Sequence, residues 1–168
     1  MFWSFIELAK HRLGAEYGPE SVLSTELLLS LNRASAMITY DLEAGVHRPR
    51  GWSWASFRLM FVIWLAGPLE SKRVAELAGM TRAAVSNLST PLETQGLLRK
   101  TADENDRRAV QLSLTEAGTA RMRDVFSEQA ERERAWTSAL SEAEQRILVL
   151  LLNKLIGDRD GFEYHERR

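Results

Sequence analysis

Residues 96–118, GLLRKTADENDRRAVQLSLTEAG, decide the fold of this 168-residue chain. Two short apolar runs, 97–100 and 109–114, flank a charged tip that carries Arg107 and Arg108 beside three carboxylates. Apolar runs of this length, bounded by turn-forming residues, predict two paired β-strands. A two-stranded ribbon with arginines at its tip has the shape and charge to enter a groove of DNA.

The segment before this ribbon, residues 70–95, predicts two helices joined by a tight turn. Ser71 is placed to cap the first helix. The apolar side of that helix consists of Val74, Ala75 and Ala78. Gly79 breaks it, and Thr81 is an N-cap for a second helix over residues 82–95, which ends before the glycine that opens the ribbon. Helix, turn, helix and ribbon in this order predict a winged helix-turn-helix.

Several spaced motifs in this region resemble the MarR family of bacterial transcription regulators. The matching residues are, in chain order, 67–69, 74–76, 79–80, 85–86, 92–93, 96–97, 106–108 and 112–118. The resemblance runs from about residue 53 to residue 118 and implies a triangular, α-helical homodimer with two winged domains. In the family a wing arginine enters the minor groove and the neighbouring aspartate, here Asp106, helps to hold it. Which of Arg107 and Arg108 would enter stays open.

The second helix of the motif supplies candidate side chains for contacting DNA. Helical spacing turns Val85, Leu88 and Leu92 toward the core and leaves the opposite face outward. The polar residues that we expect at the DNA are Thr81, Arg82, Ser86, Asn87 and Thr90. Arg82 suits guanine or a phosphate, and Asn87 can pair with adenine. The alternative for each of them is plain solvent exposure.

Two departures from the family's pattern affect this helix. The family usually has hydroxyl residues where this chain has Ala83 and Ala84, and a basic residue where it has Asn87. Pro91 lies inside the helix, where a proline removes one backbone hydrogen bond and typically costs about 3 kcal/mol. We therefore expect the helix to kink or to end early, beyond its first two turns.

Apolar stripes at helical spacing predict two helices before the winged region. The first ends before Gly18, and the second is long, covers residues 20–44 and ends at Gly45. Residues 47–51 then form a predicted basic loop. Ser53 caps a helix that is apolar on nearly all sides and therefore belongs in the middle of the molecule.

Two further helices follow the ribbon. Thr115 caps a long helix with a charged middle, and Ser141 with Glu144 forms a capping box before a last, strongly apolar helix. The apolar stripes at both ends of the chain exceed what one small winged domain can bury. They predict a homodimer with interlocked first and last helices; packing of these stripes within one chain is the alternative.

The predicted fold class is mainly α with a small two-stranded β wing. The winged helix-turn-helix domain covers residues 51–114. Residues 1–50 and 115–168 supply the N- and C-terminal helices of a dimerisation region.

Composition narrows the function classes. The absence of cysteine fits a cytoplasmic protein and excludes a cysteine-based redox sensor in this chain. The net charge of −1 means that no general basic field attracts nucleic acid. Residues 71–110 contain seven lysines and arginines and five aspartates and glutamates, which is a weak basic excess. We expect no signal peptide and no membrane span. Association of the aromatic N-terminal helix with a membrane surface is a weaker alternative to dimer packing.

The resemblance also implies a sensor function, because many relatives release DNA when a small aromatic or phenolic acid binds. An arginine could hold the carboxylate of such a ligand, and a tryptophan could stack on its ring. The candidate residues are Tyr40, His47, Arg48, Trp52, Trp54 and Arg58. The alternative is that the tryptophans simply pack in the core.

Catalytic motifs are absent from the sequence. His11, His47 and His165 lack metal-ligand spacing, and there is no phosphate loop or nucleophile motif, so we expect no enzyme, no metal and no cofactor.

The predicted function is a homodimeric, sequence-specific transcription regulator that binds an inverted repeat in double-stranded DNA and represses by covering a promoter. A winged-helix module that binds a protein partner, or an activator that requires a ligand, is the alternative.

Overall fold

The computed structural model describes residues 2–102 and 110–157, with side chains from residue 5 onward. The elements are α1 (Phe2–Tyr17), α2 (Pro19–Leu42), a π-helical turn (Glu43–His47), a 3-10 turn (Arg48–Arg50), α3 (Trp54–Ala66), β1 (Leu69–Glu70), α4 (Ser71–Ala78), α5 (Arg82–Thr94), β2 (Leu98–Ala102), β3 (Val110–Leu114), α6 (Glu116–Thr137) and α7 (Glu142–Gly157). They form two compact units, Met1–Asp41 and Leu42–Arg168. A mainly α fold with a small β wing is confirmed.

The first unit contains α1 and nearly all of α2. Gly18 separates the two helices at φ 84°, a conformation that glycine adopts without steric cost. Pro19 then opens α2, where its missing N–H removes no helical hydrogen bond. Lys10 of α1 donates to Glu26 of α2 at 3.2 Å. The expected break between the first two helices is confirmed.

The core of the second unit is built around α3. The Ser53 hydroxyl accepts a hydrogen bond from the Ser56 N–H at 3.1 Å and so caps the helix as expected. The buried residues of α3 are Phe57, Leu59, Met60 and Ile63. The helix therefore occupies the central position that its apolar sequence predicts.

The helix-turn-helix forms as expected. Gly79 ends α4 at φ 60°, and the Thr81 hydroxyl caps α5 by accepting from the Ala84 N–H at 3.1 Å. The buried or half-buried residues that join α4 and α5 to the core are Val74, Ala75, Ala78, Val85, Leu88 and Leu92. The cap predicted for Ser71 is wrong, because Glu70 holds the N-cap position and the Ser71 hydroxyl donates to the Val110 carbonyl at 3.0 Å.

The wing contains three antiparallel strands rather than two, in the order β1-β3-β2. Leu98 of β2 pairs with Leu114 of β3, and Lys100 pairs with Leu112. On the other side of β3, Leu69 of β1 pairs with Leu112 as well. Two-residue β1 is too short to show an alternating pattern, which explains why the sequence did not predict it.

The helix end predicted at Gly45 and the basic loop predicted over residues 47–51 are wrong. Helical backbone continues through the π-helical and 3-10 turns and ends at Gly51, where φ is 75°. Gly45 instead permits close packing, because a Cβ there would lie 2.8 Å from the guanidinium carbon of Arg132 on α6. His47 is fully buried.

Pro91 does not end the recognition helix early. Helix α5 continues for most of a turn beyond it, to Thr94. Two backbone hydrogen bonds close the last turn, after the proline. The Gln95 N–H donates to the Pro91 carbonyl and the Leu97 N–H donates to the Leu92 carbonyl, each at 3.0 Å.

The last two helices begin as expected. The Thr115 hydroxyl accepts from the Gly118 N–H at 2.9 Å. The Ser141 N–H donates to the Glu144 carboxylate at 2.8 Å, and the Glu144 N–H returns a bond to the Ser141 hydroxyl at 3.4 Å, which completes the capping box. In the part of the chain that the structure describes, no helix has the length and apolar character needed to cross a membrane.

Substituting Gly118 by alanine tests the contact between α6 and the wing. A Cβ at this position would lie 1.9 Å from the Leu97 carbonyl oxygen, so the backbone would have to shift. We expect Gly118→Ala to lower the free energy of unfolding, measured by urea denaturation, by about 2 kcal/mol. Gly157→Ala is the matched control, because a Cβ there meets open space. Equal stabilities of the two variants would contradict the close contact.

Candidate nucleic-acid interface

The outward face of α5 presents most of the residues predicted from helical spacing. The exposed residues are Arg82, Ala83, Ser86, Asn87 and Thr90. Arg82 and Asn87 lie in the first two turns and, within the described part of the chain, their side chains have no hydrogen-bond or ion-pair partner. Thr81 is half-buried and its hydroxyl serves as the helix cap. The beginning of α5 therefore offers free donors and acceptors above a helix N-terminus.

Basic side chains of α4 adjoin this end of α5. Arg73 donates to the Glu76 carboxylate at 2.8 Å. That hydrogen bond lowers the pKa of Glu76, and the charges of Arg73, Lys72 and Arg82 act in the same direction. Glu76 thus lies close to three cations, Lys72, Arg73 and Arg82.

The wing contributes to the same surface along β2. Arg99 is exposed, and Lys100 reaches α5, where its ammonium group donates to the Thr90 hydroxyl at 3.0 Å and pairs with the Glu93 carboxylate at 3.3 Å. Thr90 also donates to the Ser86 carbonyl at 3.1 Å. The Thr90 hydroxyl therefore already donates one hydrogen bond and accepts another. The predicted wing residues Asp106, Arg107 and Arg108 lie outside the described residues.

Sequence reasoning missed two polar side chains, one inside α5 and one on β2. Ser89 is buried and donates to the Ser86 carbonyl at 3.0 Å. It follows Val85 by four residues, so its helical spacing could have revealed it. Lys100 is two residues after buried Leu98, and strand alternation could have placed both on the side that faces α5.

The predicted ligand residues do not form one group. His47 stacks on Phe57 with ring centroids 4.4 Å apart and on Trp54 at 5.5 Å. Trp52 is buried, and its backbone N–H donates to the His47 carbonyl at 3.1 Å. His47, Trp52 and Trp54 therefore meet in the core of the second unit, which agrees with the packing alternative for the tryptophans.

The other three candidates have different surroundings. Arg48 is exposed and pairs with Glu43 at 3.1 Å. Arg58 donates to the carbonyl of Ala78, at the turn between α4 and α5. Tyr40 is exposed and belongs to the first unit. Arg58 thus links α3 to the turn of the helix-turn-helix.

A hydrogen-bonded chain fixes the buried imidazole. The Gln129 amide donates to Glu133 at 2.7 Å, so its oxygen is free to accept from His47 Nε2 at 2.9 Å. Burial lowers the pKa of His47, although the bond to Gln129 opposes this. The ring is neutral near pH 7. Over residues 2–102 and 110–157, no three His, Cys, Asp or Glu side chains are grouped to hold a metal ion.

Comparison with known proteins agrees with this geometry. The family model described as MarR family matches residues 52–110. The chain is 31% identical over 126 residues to the uncharacterized HTH-type transcriptional regulator YwaE of Bacillus subtilis, which covers 75% of this chain and 74% of YwaE. It is 32% identical over 85 residues to the transcriptional repressor MprA of Escherichia coli, covering 51% of this chain and 48% of MprA.

Solved structures share the fold. Bordetella bronchiseptica BpsR, whose DNA binding is regulated by 6-hydroxynicotinic acid, superposes with a TM-score of 0.70 at 23% identity, over 78% of this chain and 98% of BpsR. A mutant of Escherichia coli MarR in complex with operator DNA superposes with a TM-score of 0.69 at 19% identity, over 75% of this chain and 90% of MarR.

The fold and the exposed recognition helix define a winged helix-turn-helix DNA-binding protein. The chain belongs to the MarR family, and it is a DNA-binding transcriptional regulator. Its relatives are regulators rather than enzymes.

The buried imidazole predicts a pH dependence of stability. The pKa of His47 is lowered in the folded state, so at about pH 6 the unfolded chain binds a proton more readily than the folded chain. The free energy of unfolding therefore falls as the pH drops below the ordinary histidine pKa of about 6.5. We expect the free energy of unfolding to decrease between about pH 7.5 and about pH 5.5 more in the wild type than in His47→Gln. Parallel curves for the two proteins would show that His47 makes no such contribution.

Proposed function

We propose that this regulator is a homodimer that binds an inverted repeat and represses transcription by covering a promoter. The observation that carries the proposal is the outward face of α5, where Arg82 and Asn87 are exposed and free of partners among the described residues. A recognition helix contacts base edges in the major groove with residues near its N-terminus. Arg82 would bind guanine or a phosphate, and Asn87 would bind adenine.

The remaining polar residues of this face would support the register on DNA. Ser86 is exposed and suits a phosphate or a base edge, and Thr81 and Thr90 flank it along the helix. Between β2 and β3, one of Arg107 and Arg108 would enter the adjacent minor groove, where a narrow A·T-rich segment attracts arginine, and Asp106 would help to hold that arginine.

Exposed apolar side chains support the homodimer. No residue of α7 is buried within the described chain. Its exposed apolar residues are Ile147, Leu148, Val149, Leu150, Leu151, Leu155 and Ile156. Helices α1 and α2 expose Phe5, Leu8, Leu23, Leu27 and Leu28. Apolar surface of this extent is typical of a protein interface. A two-fold dimer would bind half-sites about one helical turn apart.

A small aromatic effector remains a further proposal, supported by the regulation of BpsR by 6-hydroxynicotinic acid. Such a ligand would release DNA only if it bound the DNA-incompetent spacing of the two recognition helices more tightly. Since His47 and Trp52 are buried, a ligand would reach them only if the aromatic cluster opened. The exposed candidates are Tyr40 and Arg48.

The first test is in-vitro selection from random duplexes with the wild type, Arg82→Ala and Arg134→Ala. Arg134 is an exposed arginine of α6 and controls for the loss of one positive charge. We expect the wild type and Arg134→Ala to enrich one inverted repeat. Arg82→Ala should bind that repeat roughly tenfold to a hundredfold more weakly, the usual cost of one specific contact.

Failure of a folded wild-type dimer to enrich any sequence would contradict the proposal. A winged-helix module for a protein partner, suggested by Ala83 and Ala84, would then be favoured. An enriched repeat at which the protein stimulates transcription in vitro would contradict only the repressor part.

The Glu76 carboxylate, which pairs with Arg73 on α4, gives a second test. We expect Glu76→Gln to bind duplex DNA more tightly and with a steeper salt dependence, because it removes a negative charge and releases Arg73. Glu142→Gln on α7 is the control, since Glu142 also pairs with an arginine but on another helix. Affinity should be measured across several salt concentrations. Unchanged or weaker binding by Glu76→Gln alone would place α4 away from the DNA.

A further inference from the structure

Lys100 joins the wing to the second half of the recognition helix. Its ammonium group donates to the Thr90 hydroxyl at 3.0 Å and pairs with the Glu93 carboxylate at 3.3 Å. Only 24% of the Lys100 side chain is exposed, although the residue lies at the surface. The Lys100 ammonium group is therefore already bound to two side chains of α5.

The path of β2 explains this orientation. Leu98 is buried, Arg99 is exposed, and Lys100 returns to the side of Leu98, as strand alternation requires. Pairing with Leu112 in β3 fixes the position of Lys100 along the strand. The side chain thus extends from a three-stranded sheet and contacts one turn of α5.

That turn contains Pro91. Thr90 and Glu93, the two residues that Lys100 contacts, lie immediately on either side of the proline and its neighbour. Because proline has no N–H, the carbonyl of Asn87 loses its helical hydrogen bond at this point. The helix consequently lacks one hydrogen bond where its DNA-facing first turns meet its last turn, and Lys100 contacts the residues that flank Pro91 and Leu92.

We propose that Lys100 is a positioning residue that holds α5 to β2 at the turn that Pro91 weakens. It fixes the angle between the recognition helix and the wing, so that both can engage one duplex. This inference rests on the proposed function, in which α5 and the wing contact neighbouring grooves. The competing role is direct contact between Lys100 and a DNA phosphate.

Salt dependence separates these two roles. Loss of a phosphate contact lowers the slope of log affinity against log salt by about 0.9 and weakens all duplexes alike. Loss of a positioning contact leaves that slope unchanged and weakens only the specific sequence. Glu93 separates them too, because removing a carboxylate near a phosphate contact raises affinity, whereas removing an anchor of Lys100 lowers it.

The experiment compares the wild type with Lys100→Met, Lys100→Arg, Glu93→Ala, Pro91→Ala and the double variant Pro91→Ala/Lys100→Met. The probes are the selected inverted-repeat duplex and a shuffled duplex of the same length and composition. Thermal melting checks that each variant is folded. We expect Lys100→Met and Glu93→Ala to lose about tenfold in affinity for the selected duplex only, the scale of one lost specific contact.

Coupling to Pro91 is the decisive result. In the Pro91→Ala background the helix regains its hydrogen bond, so Lys100→Met should cost much less, and Lys100→Arg should retain most of the wild-type preference. Two results would overturn this inference and leave the proposed function intact. One is that Lys100→Met lowers the salt slope and loses the same affinity for both duplexes. The other is that Lys100→Met costs the same affinity in the wild-type and Pro91→Ala backgrounds. A wild type that does not distinguish the two duplexes would overturn the proposed function and this inference with it.

Discussion

The close approach between the first turn of α6 and the start of the wing is the contact on which the DNA-binding surface depends. The Thr115 N–H donates to the Leu97 carbonyl at 3.1 Å, and the Thr115 hydroxyl donates to the Gly96 carbonyl at 2.7 Å while it caps α6. Only a glycine at position 118 leaves room for the Leu97 carbonyl. Because Leu97 follows directly on α5 and precedes β2, this junction links the recognition helix, both long wing strands and α6. A shift at Gly118 would therefore move the helix and the wing together.

The charge distribution follows from the same arrangement. The chain as a whole has a net charge of −1, so no general positive field attracts DNA. Basic side chains instead lie on α4, at the start of α5 and on β2, and carboxylates lie among them. Glu76 pairs with Arg73, and Glu93 pairs with Lys100. Such internal pairs limit affinity for DNA of any sequence, and specific contacts from the free donors of α5 then contribute more of the discrimination.

Much of the winged domain could be predicted because its signals are local. A cap such as Thr81, a positive-φ glycine such as Gly79 and apolar residues at helical spacing each act within a few residues. The errors arose where distant contacts decide the structure. Gly45 resembles a helix terminator, but its role is to accommodate Arg132, 87 positions later in the chain. His47 resembles part of a basic loop, but it is buried against Gln129 of α6. Strand alternation places Lys100 on the side of Leu98, but its contacts with Thr90 and Glu93 also depend on how β2 packs against α5.

The claim that α5 lies in the major groove of an inverted repeat can be tested directly, because the chain has no cysteine. A single cysteine at exposed Ala83 of α5 would carry an iron chelate that cleaves nearby DNA, with Ser127→Cys on α6 as the control. On the selected duplex, the Ala83→Cys conjugate should cut at two positions related by the dyad and separated by about one helical turn. A single cut without symmetry, or equal cutting from Ser127→Cys, would contradict the account.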